Sequence, residues 1–337
     1  MKLYKVAVVG ALGAVGTEMI KILEERNFPV SGFVPLDAEI NAGKPVKFQG
    51  KEIPVKKAEP GAFLGVDITL FAVGADVSKI LAPMAVKEGT IVIDNSSAWR
   101  MDPNVPLIIP EVNPEALQYH KGLIANPNCS TVQMLVVAKP LHDAFKIKRI
   151  VVSTYQAVSG TGLPAIEELV SQTKAFAAGQ PISNSVYHRQ ILFNVLPQID
   201  DFLEDGYTKE EKKMIDETHK ILDPQILVSP TAIRIPVFRG HSESLNIETE
   251  KPISAGEVRS ILSRAKGVKV MDDPSKREYP TPMDADSNDD VYVGRIRQDS
   301  SVANAVNMWV VADNVRKGAA LNAVQIAELV AEKYRLT

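Results

Sequence analysis

The stretch Tyr4–Gly16, YKVAVVGALGAVG, decides the fold. The run YKVAVVG reads as a short strand, and Gly10, Gly13 and Gly16 fall where it turns into a helix over Thr17 to Arg26. A pyrophosphate bound at a helix N-terminus needs backbone amides within reach and no side chains in the way, which glycines provide. The spacing is GxxGxxG rather than GxGxxG, so context carries the reading: strand before, helix after. A tight turn with close helix–sheet packing is the alternative. The same junction, with no cleavage region after it, argues for folded structure rather than a leader peptide, and a cytoplasmic protein is expected.

Strand and helix keep alternating beyond this point. DITLFAV (Asp67–Val73) and TIVIDNS (Thr90–Ser96) are near-continuous apolar strands around a helical segment at Asp76–Lys87. VPLIIPEV and GLIANPN offer two more short strands. Strands this apolar call for cover on both faces, hence a parallel sheet between helix layers. After Thr131–Ala144, which reads as a helix, the pattern changes. IKRIVVSTYQAVSG, ILVSPTAIRIPVFRG, HSESLNIETE, DVYVGRIRQ and NAVNMWVVAD read as strands with mixed faces. They predict an antiparallel or mixed sheet with one face available for helices or a partner subunit. Thr161–Ala178 and Lys209–Ile221 read as helices, Asp272–Asp289 as a surface excursion, and Gly318–Tyr334 as an amphipathic helix.

A chain of 337 residues has room for two domains. Net charge is -3 and no basic run is dense enough to track a nucleic-acid backbone, so no nucleic acid is expected as partner. No apolar run reaches spanning length, so no membrane is expected either. The single cysteine, Cys129, excludes an intramolecular disulfide and fits a reducing compartment.

Cys129 lies in IANPNCSTVQM (Ile124–Met134), after a strand end and at the start of an apolar helical run. Asn126, Asn128, Ser130 and Thr131 around it make poor core material. A thiolate gains from the free amides and dipole of a helix N-terminus. This setting favours a nucleophile over the buried small hydrophobe that a lone cysteine commonly is. Among five histidines, His241 at the end of TAIRIPVFRG, close after Arg234 and Arg239, is the best base. No pair of histidines has zinc-site spacing, and no metal is expected. A dinucleotide fold joined to a nucleophilic cysteine points to carbonyl addition, hydride transfer and exchange at a thioester. A phosphate in that exchange would need cationic side chains. The second strand ends in GFVPLDAEINAGK (Gly32–Lys44), where Asp37 and Glu39 would favour a free ribose diol. A 2′-phosphate wants arginine or hydroxyl donors, and neither arginine nor serine stands between Val34 and Gly43. Both acids read equally well as solvated loop residues.

Seven motifs occur in order along the chain: DNSSAWR at Asp94–Arg100, PEVN at Pro110–Asn113, NPNCS at Asn126–Ser130, TYQAVSGTG at Thr154–Gly162, ETHKI at Glu217–Ile221, RIPVFRGHSE at Arg234–Glu243 and KGAALNAVQIAE at Lys317–Glu328. With them the chain resembles the aspartate-β-semialdehyde dehydrogenase family over essentially its whole length. The resemblance implies an α/β architecture: an N-terminal Rossmann-like dinucleotide-binding domain (1–129), an α+β catalytic and dimerisation domain (130–316), and a C-terminal helix (317–337) returning to the first. It implies a homodimeric or homotetrameric enzyme that uses NADPH and a cysteine thioester. That enzyme turns 4-phospho-L-aspartate (aspartyl phosphate) into L-aspartate 4-semialdehyde and phosphate, for lysine, diaminopimelate, threonine, methionine and isoleucine synthesis. Carried over, Cys129 is the nucleophile, His241 the acid–base catalyst and Gln156 the residue that orients the acyl group. Arg234 would grip the substrate α-carboxylate and Glu217 its ammonium, while Arg100, Asn128 and Lys220 would hold the phosphoryl group. The expected cofactor contacts are Gly10, Leu12, Gly13, Ala14, Val15, Gly16, Asp37, Ala38 and Asn41, with Ser159, Gly160 and Asn314 further along.

Two departures stand out. Leu12 replaces a threonine usual in the family, and DAEINAGK (Asp37–Lys44) replaces a serine- and arginine-bearing stretch that meets the 2′-phosphate of NADP. Charged hydrogen bonds lost there cost about 2–3 kcal/mol each. NADP is the family's cofactor, yet this stretch predicts a weak NADP preference and use of NAD. An N-acetyl-γ-glutamyl-phosphate reductase shares fold and thiol chemistry but has no use for Glu217 facing an ammonium. A non-catalytic dinucleotide-binding protein would need neither Cys129 nor His241.

Overall fold

The computed structural model describes residues 2–333. It divides into two units, one holding the residues up to Asn128 and those from Ala319 onward, the other Cys129–Gly318. The first opens with β1 (Tyr4–Val9), α1 (Ala14–Glu25) and β2 (Val30–Asp37). A hairpin of β3 (Pro45–Phe48) and β4 (Lys51–Pro54) follows, then β5 (Lys56–Lys57), β6 (Ile68–Phe71), α2 (Ala75–Lys87), β7 (Ile91–Asp94) and β8 (Leu123–Ala125). The six-stranded sheet runs β5-β2-β1-β6-β7-β8 with every pair parallel. Its order reverses between β1 and β6, the place where such sheets bind ligands beyond their strand ends. On β1, Tyr4, Val6 and Val8 join a core with Met19, Ile22 and Leu23 of α1, while Ala7 and Val9 are as fully buried. Burial on both faces is why the strand reads as an unbroken apolar run.

Two local readings need correction. VPLIIPEV is not a strand: only Leu107 makes a single parallel bridge, to Ala125. Pro106 and Pro110 bring no amide donor, and the Ile109 N–H goes to the Asn113 side chain at 2.9 Å instead. The β3–β4 hairpin leaves no clear mark in the sequence. Its turn residues Gln49 and Gly50 have φ of 48° and 74°. Glutamine in the first of these positions hides a turn that Asn-Gly would advertise.

The second unit begins with α3 (Cys129–Phe145), β9 (Ile147–Gln156), α4 (Leu163–Ala177), α5 (Lys209–Ile221), β10 (Leu227–Arg234) and β11 (His241–Thr249). It continues through α6 (Ala255–Leu262), β12 (Val268–Val270), α7 (Pro282–Ala285), β13 (Val291–Gln298) and β14 (Ala305–Ala312). The sheet order is β10-β9-β11-β14-β13-β12. It is mixed: β9–β10 and β12–β13 are parallel, the rest antiparallel. Along β11, His241, Glu243, Leu245, Ile247 and Thr249 are buried, and Ser244, Asn246 and Glu248 are partly exposed. That alternation marks one packed face and one open face. The strand read through Gly240 stops at Arg234, because Pro236 cannot donate to a ladder. Asp272–Asp289 lies at the surface as expected, with most of its residues exposed or partly exposed, and is pinned where α7 buries Ala285 against Tyr292 and Val311.

A π-turn at Arg316–Ala320 leads into α8 (Leu321–Lys333), which belongs to the first unit. Leu321, Val324, Ala327 and Val330 enter the core that α1 lines. The Tyr4 hydroxyl donates to the Ala331 carbonyl at 2.9 Å, and Arg26 forks onto Glu328 at 2.7 and 2.8 Å. Tyr334, assigned to this helix from the sequence, lies outside the described residues. Among the described residues no helix is long and apolar enough to cross a membrane.

Candidate active site

In the first unit the glycine turn is shaped by close backbone approach. Gly10 follows β1 with φ of +80°, and a Cβ on it would lie 2.4 Å from the Ala72 carbonyl oxygen. A Cβ on Gly16 would lie 2.0 Å from the Gly10 carbonyl oxygen. Gly13 caps α1 with no side chain, leaving the amides of Ala14, Val15 and Gly16 at the helix start open to an anion. A cradle that any Cβ would fill, ending on uncapped amides, fits the diphosphate of a dinucleotide. The Leu12 side chain packs onto the core, and its N–H donates to Asp37 Oδ2 at 3.1 Å. Asp37 Oδ1 accepts from the Ala38 N–H and from Asn41 Nδ2, both at 2.8 Å. Asp37 therefore ties the glycine turn to the loop after β2. Ile40 in that loop is 86% exposed, and Lys57 is paired with Glu39 and Glu59 at 3.0 and 3.3 Å.

Arg100 and Asn128 are buried in this same unit. Arg100 donates from Nε to the Asn126 carbonyl at 2.9 Å and from Nη2 to the Asn95 carbonyl at 2.7 Å. These bonds grip the guanidinium from the Asn95 and Asn126 backbone.

In the second unit Cys129 is the first residue of α3 and is partly exposed, while Ser130 and Thr131 are fully buried. Gly318 backs it closely: a Cβ there would sit 2.7 Å from Cys129 Cβ. Neighbouring strands β9 and β11 bring Gln156 and His241 together, with Gln156 Nε2 3.5 Å from His241 Nε2. The Ala157 N–H donates to His241 Nδ1 at 3.0 Å. The neutral ring therefore carries its proton on Nε2. A second proton would set Nδ1–H against that amide. Burial, then the Arg234 charge, hold the imidazole pKa well below its usual 6.5.

Arg234 ends β10, is 4% exposed, and donates from Nη1 to the Ala157 carbonyl at 2.6 Å. A Cβ on Gly160 would meet Arg234 Nη1 at 2.9 Å and His241 Nε2 at 3.2 Å, so guanidinium and imidazole face one small space. Asn314 Nδ2 donates to Ser159 Oγ at 2.9 Å, and Asn314 Oδ1 accepts the Gly240 N–H at 3.0 Å. That pair fixes the turn just before His241. On α5, Glu217 is buried and Lys220, one turn further, is partly exposed. The structure thus gathers Gln156, Gly160, Arg234 and His241, with Cys129, Glu217 and Lys220 on helices of the same unit.

Sequence reasoning missed Glu210. Its Oε1 accepts from Gln156 Nε2 at 3.1 Å, and Thr154 Oγ1 donates to Gln156 Oε1 at 2.9 Å, so both ends of that amide are fixed. Glu210 sits in a run KEEKK that reads as a solvated helix face. The Ala157 amide that sets the His241 tautomer carries no side-chain signal at all. A partly exposed thiol at a helix start, an imidazole N–H donor and a buried guanidinium together suit acyl transfer to sulfur with a stabilised oxyanion.

The chain matches the semialdehyde dehydrogenase NAD binding domain over residues 5–120 and the semialdehyde dehydrogenase dimerisation domain over residues 138–317. It is 56% identical over 335 residues to an aspartate-semialdehyde dehydrogenase of Aquifex aeolicus, covering 98% of each chain. It is 50% identical over 332 residues to that of Bacillus subtilis, covering 96% of each. The crystal structure of aspartate semialdehyde dehydrogenase II from Vibrio cholerae, complexed with ASA, superposes with a TM-score of 0.97 at 47% identity, covering 99% of this chain and 100% of that one. An N-terminal Rossmann-like unit and an α+β dimerisation unit are what both domain families describe. On matches of this extent, the chain belongs to the aspartate-semialdehyde dehydrogenase family.

Proposed function

We propose that the chain makes L-aspartate 4-semialdehyde and phosphate from 4-phospho-L-aspartate through a thioester on Cys129. Family membership makes it an oxidoreductase of amino-acid biosynthesis, in the branch leading to lysine, threonine, methionine and isoleucine. The observation that carries the site reading is the meeting of Arg234 and His241 around Gly160. Cys129, favoured as thiolate at the start of α3, attacks the acyl phosphate carbon. The bond to the phosphate oxygen breaks, phosphate leaves with that electron pair, and the acyl group stays on sulfur. A bound nicotinamide supplies the hydride that reduces this acyl group. Negative charge then falls on the former carbonyl oxygen, where His241 Nε2–H donates. When the carbon–sulfur bond breaks, the charge returns to Cys129 and the aldehyde is released. Gln156, held at both ends, orients the acyl group. Arg234 pairs with the α-carboxylate, Glu217 meets the ammonium, and Arg100, Asn128 and Lys220 receive the phosphoryl group.

Because the ring acts as a neutral donor, kcat should stay level as pH falls through 6.5, with any limb due to His241 appearing only well below. A limb centred at or above 6.5 that H241A removes would contradict this.

On the cofactor side, Gly10 through Gly16 would hold the diphosphate, Asp37, Ala38 and Asn41 the adenosine ribose, and Ser159, Gly160 and Asn314 the nicotinamide end. The loop after β2 supports NAD as an accepted cofactor and only a weak preference for NADP. For assembly we favour a homodimer over a homotetramer. The face of the second sheet bearing Ser153, Tyr155, Ser244, Asn246 and Trp309 is only partly buried and mixes polar with aromatic groups, as a self-association surface does. The lone cysteine fits a cytoplasmic setting. The test is the reverse reaction: purified chain with aspartate semialdehyde, phosphate and NAD or NADP should form reduced cofactor continuously only when semialdehyde and phosphate are both present. Turnover that ignores phosphate would overturn the assignment.

A further inference from the structure

Glu243 lies two residues beyond His241 on the same packed face of β11, and it is 0% exposed. Neither of its carboxyl oxygens has a hydrogen-bond partner among the described residues. Opposite it in the ladders stand Thr154 and Val310, and the Thr154 hydroxyl is already committed to Gln156. The polar side chain that acts on the Glu243 carboxyl is Gln133 of α3, one helical turn beyond Cys129. Gln133 is also 0% exposed. Its Nε2 reaches the His241 carbonyl at 3.4 Å, and its Oε1 has no donor.

Three buried acceptor oxygens without a donor are a costly arrangement, and buried polar atoms in native proteins are almost always satisfied. One proton settles two of the three and leaves the third as the carbonyl oxygen of a neutral acid instead of a buried charge. A neutral carboxylic acid has an O–H to give, and the orphaned Oε1 of Gln133 is there to take it. An ionised Glu243 would instead draw the Gln133 amide round to donate from Nε2, and the bond to the His241 carbonyl would break. Burial drives the Glu243 carboxyl the same way, raising its pKa well above the usual carboxylate range and outweighing the Gln133 side chain, which pulls it down.

We propose that Glu243 is a positioning residue: as a neutral acid it donates to Gln133 Oε1, so that Gln133 Nε2 holds the His241 carbonyl and the helix beginning at Cys129 is locked to the strand beginning at His241. The proposal rests on Cys129 and His241 being the reacting pair. Neither Glu243 nor Gln133 touches substrate in this role. Their effect is on the relative placement of thiol and imidazole, where a displacement of about 1 Å can cost up to about 100-fold in rate.

The test uses the full-length enzyme and the variants E243Q and E243L. Glutamine keeps an N–H donor for Gln133 Oε1, so E243Q should retain kcat within about threefold. Leucine leaves that oxygen orphaned, so E243L should lose kcat about 10–100-fold with little change in KM. An infrared difference spectrum of wild type minus E243Q near neutral pH should show the C=O stretch of a protonated carboxyl. Carboxylate bands in its place, or an E243Q as impaired as E243L, would overturn the proposal. So would an E243L indistinguishable from wild type. Should E243L fail to fold, the infrared band and the E243Q kinetics decide alone. A C129A enzyme that kept turnover would remove the site reading while leaving the infrared result standing, so the two failures are told apart.

Discussion

C129A should lower turnover of aspartate semialdehyde by roughly a millionfold, the scale seen when a covalent catalyst loses its nucleophile. In the oxidative direction Cys129 must add to the aldehyde before hydride can leave, and phosphate then takes the acyl group from sulfur. No other cysteine exists in the chain to substitute. The loss should be chemical rather than structural. Cys129 is partly exposed at the first turn of α3, and a Cβ built on Gly318 would meet its Cβ, Cα and carbonyl oxygen, atoms that alanine keeps. A thermal midpoint within a few degrees of wild type is therefore expected. Mass spectrometry adds a direct check: wild type mixed with aspartyl phosphate alone should gain an acyl adduct, and C129A should not. Sustained turnover by C129A would end the thioester mechanism.

I40R should raise kcat/KM for NADP by about 30–100-fold and leave the NAD value within a few fold. One charged hydrogen bond to a phosphate contributes about 2–3 kcal/mol, and each 1.4 kcal/mol is tenfold. The site is receptive because Ile40 is an apolar side chain standing 86% exposed in the loop that Asp37 organises. On the proposed placement of the ribose at Asp37, wild type, with Lys57 already paired with Glu39 and Glu59, should show little or no NADP advantage. D37A is expected to behave differently from I40R. It frees the amides of Leu12 and Ala38 together with the Asn41 side chain, so the turn loosens and both cofactors should bind less well. Steady-state comparison of the two cofactors with wild type, I40R and D37A decides the matter. A strong NADP advantage in wild type would sink the NAD reading.

Local sequence was enough for much of this protein, and for a definable reason. Strand β1, the glycine turn and α1 are visible because burial on both faces writes an unbroken apolar run and close backbone approach demands glycine. The mixed second sheet is visible in its alternation, and Cys129 announces itself by standing among turn formers at the head of an apolar helix. The same logic fails where a segment's surroundings come from elsewhere in the chain. VPLIIPEV is apolar enough for a strand, yet its prolines deny it a ladder and only Leu107 pairs. Glu210 and Glu243 look like ordinary charges in polar runs, and the tertiary structure turns both inward, one onto Gln156 and one beside Gln133. His241 was legible as a residue, but which nitrogen holds its proton was not. That is set by the Ala157 amide, 84 positions away in the chain and 3.0 Å away in space. Periodicity records how each segment is buried; the partner of a buried polar atom is chosen only when distant strands come together, and that choice made a histidine into a neutral donor.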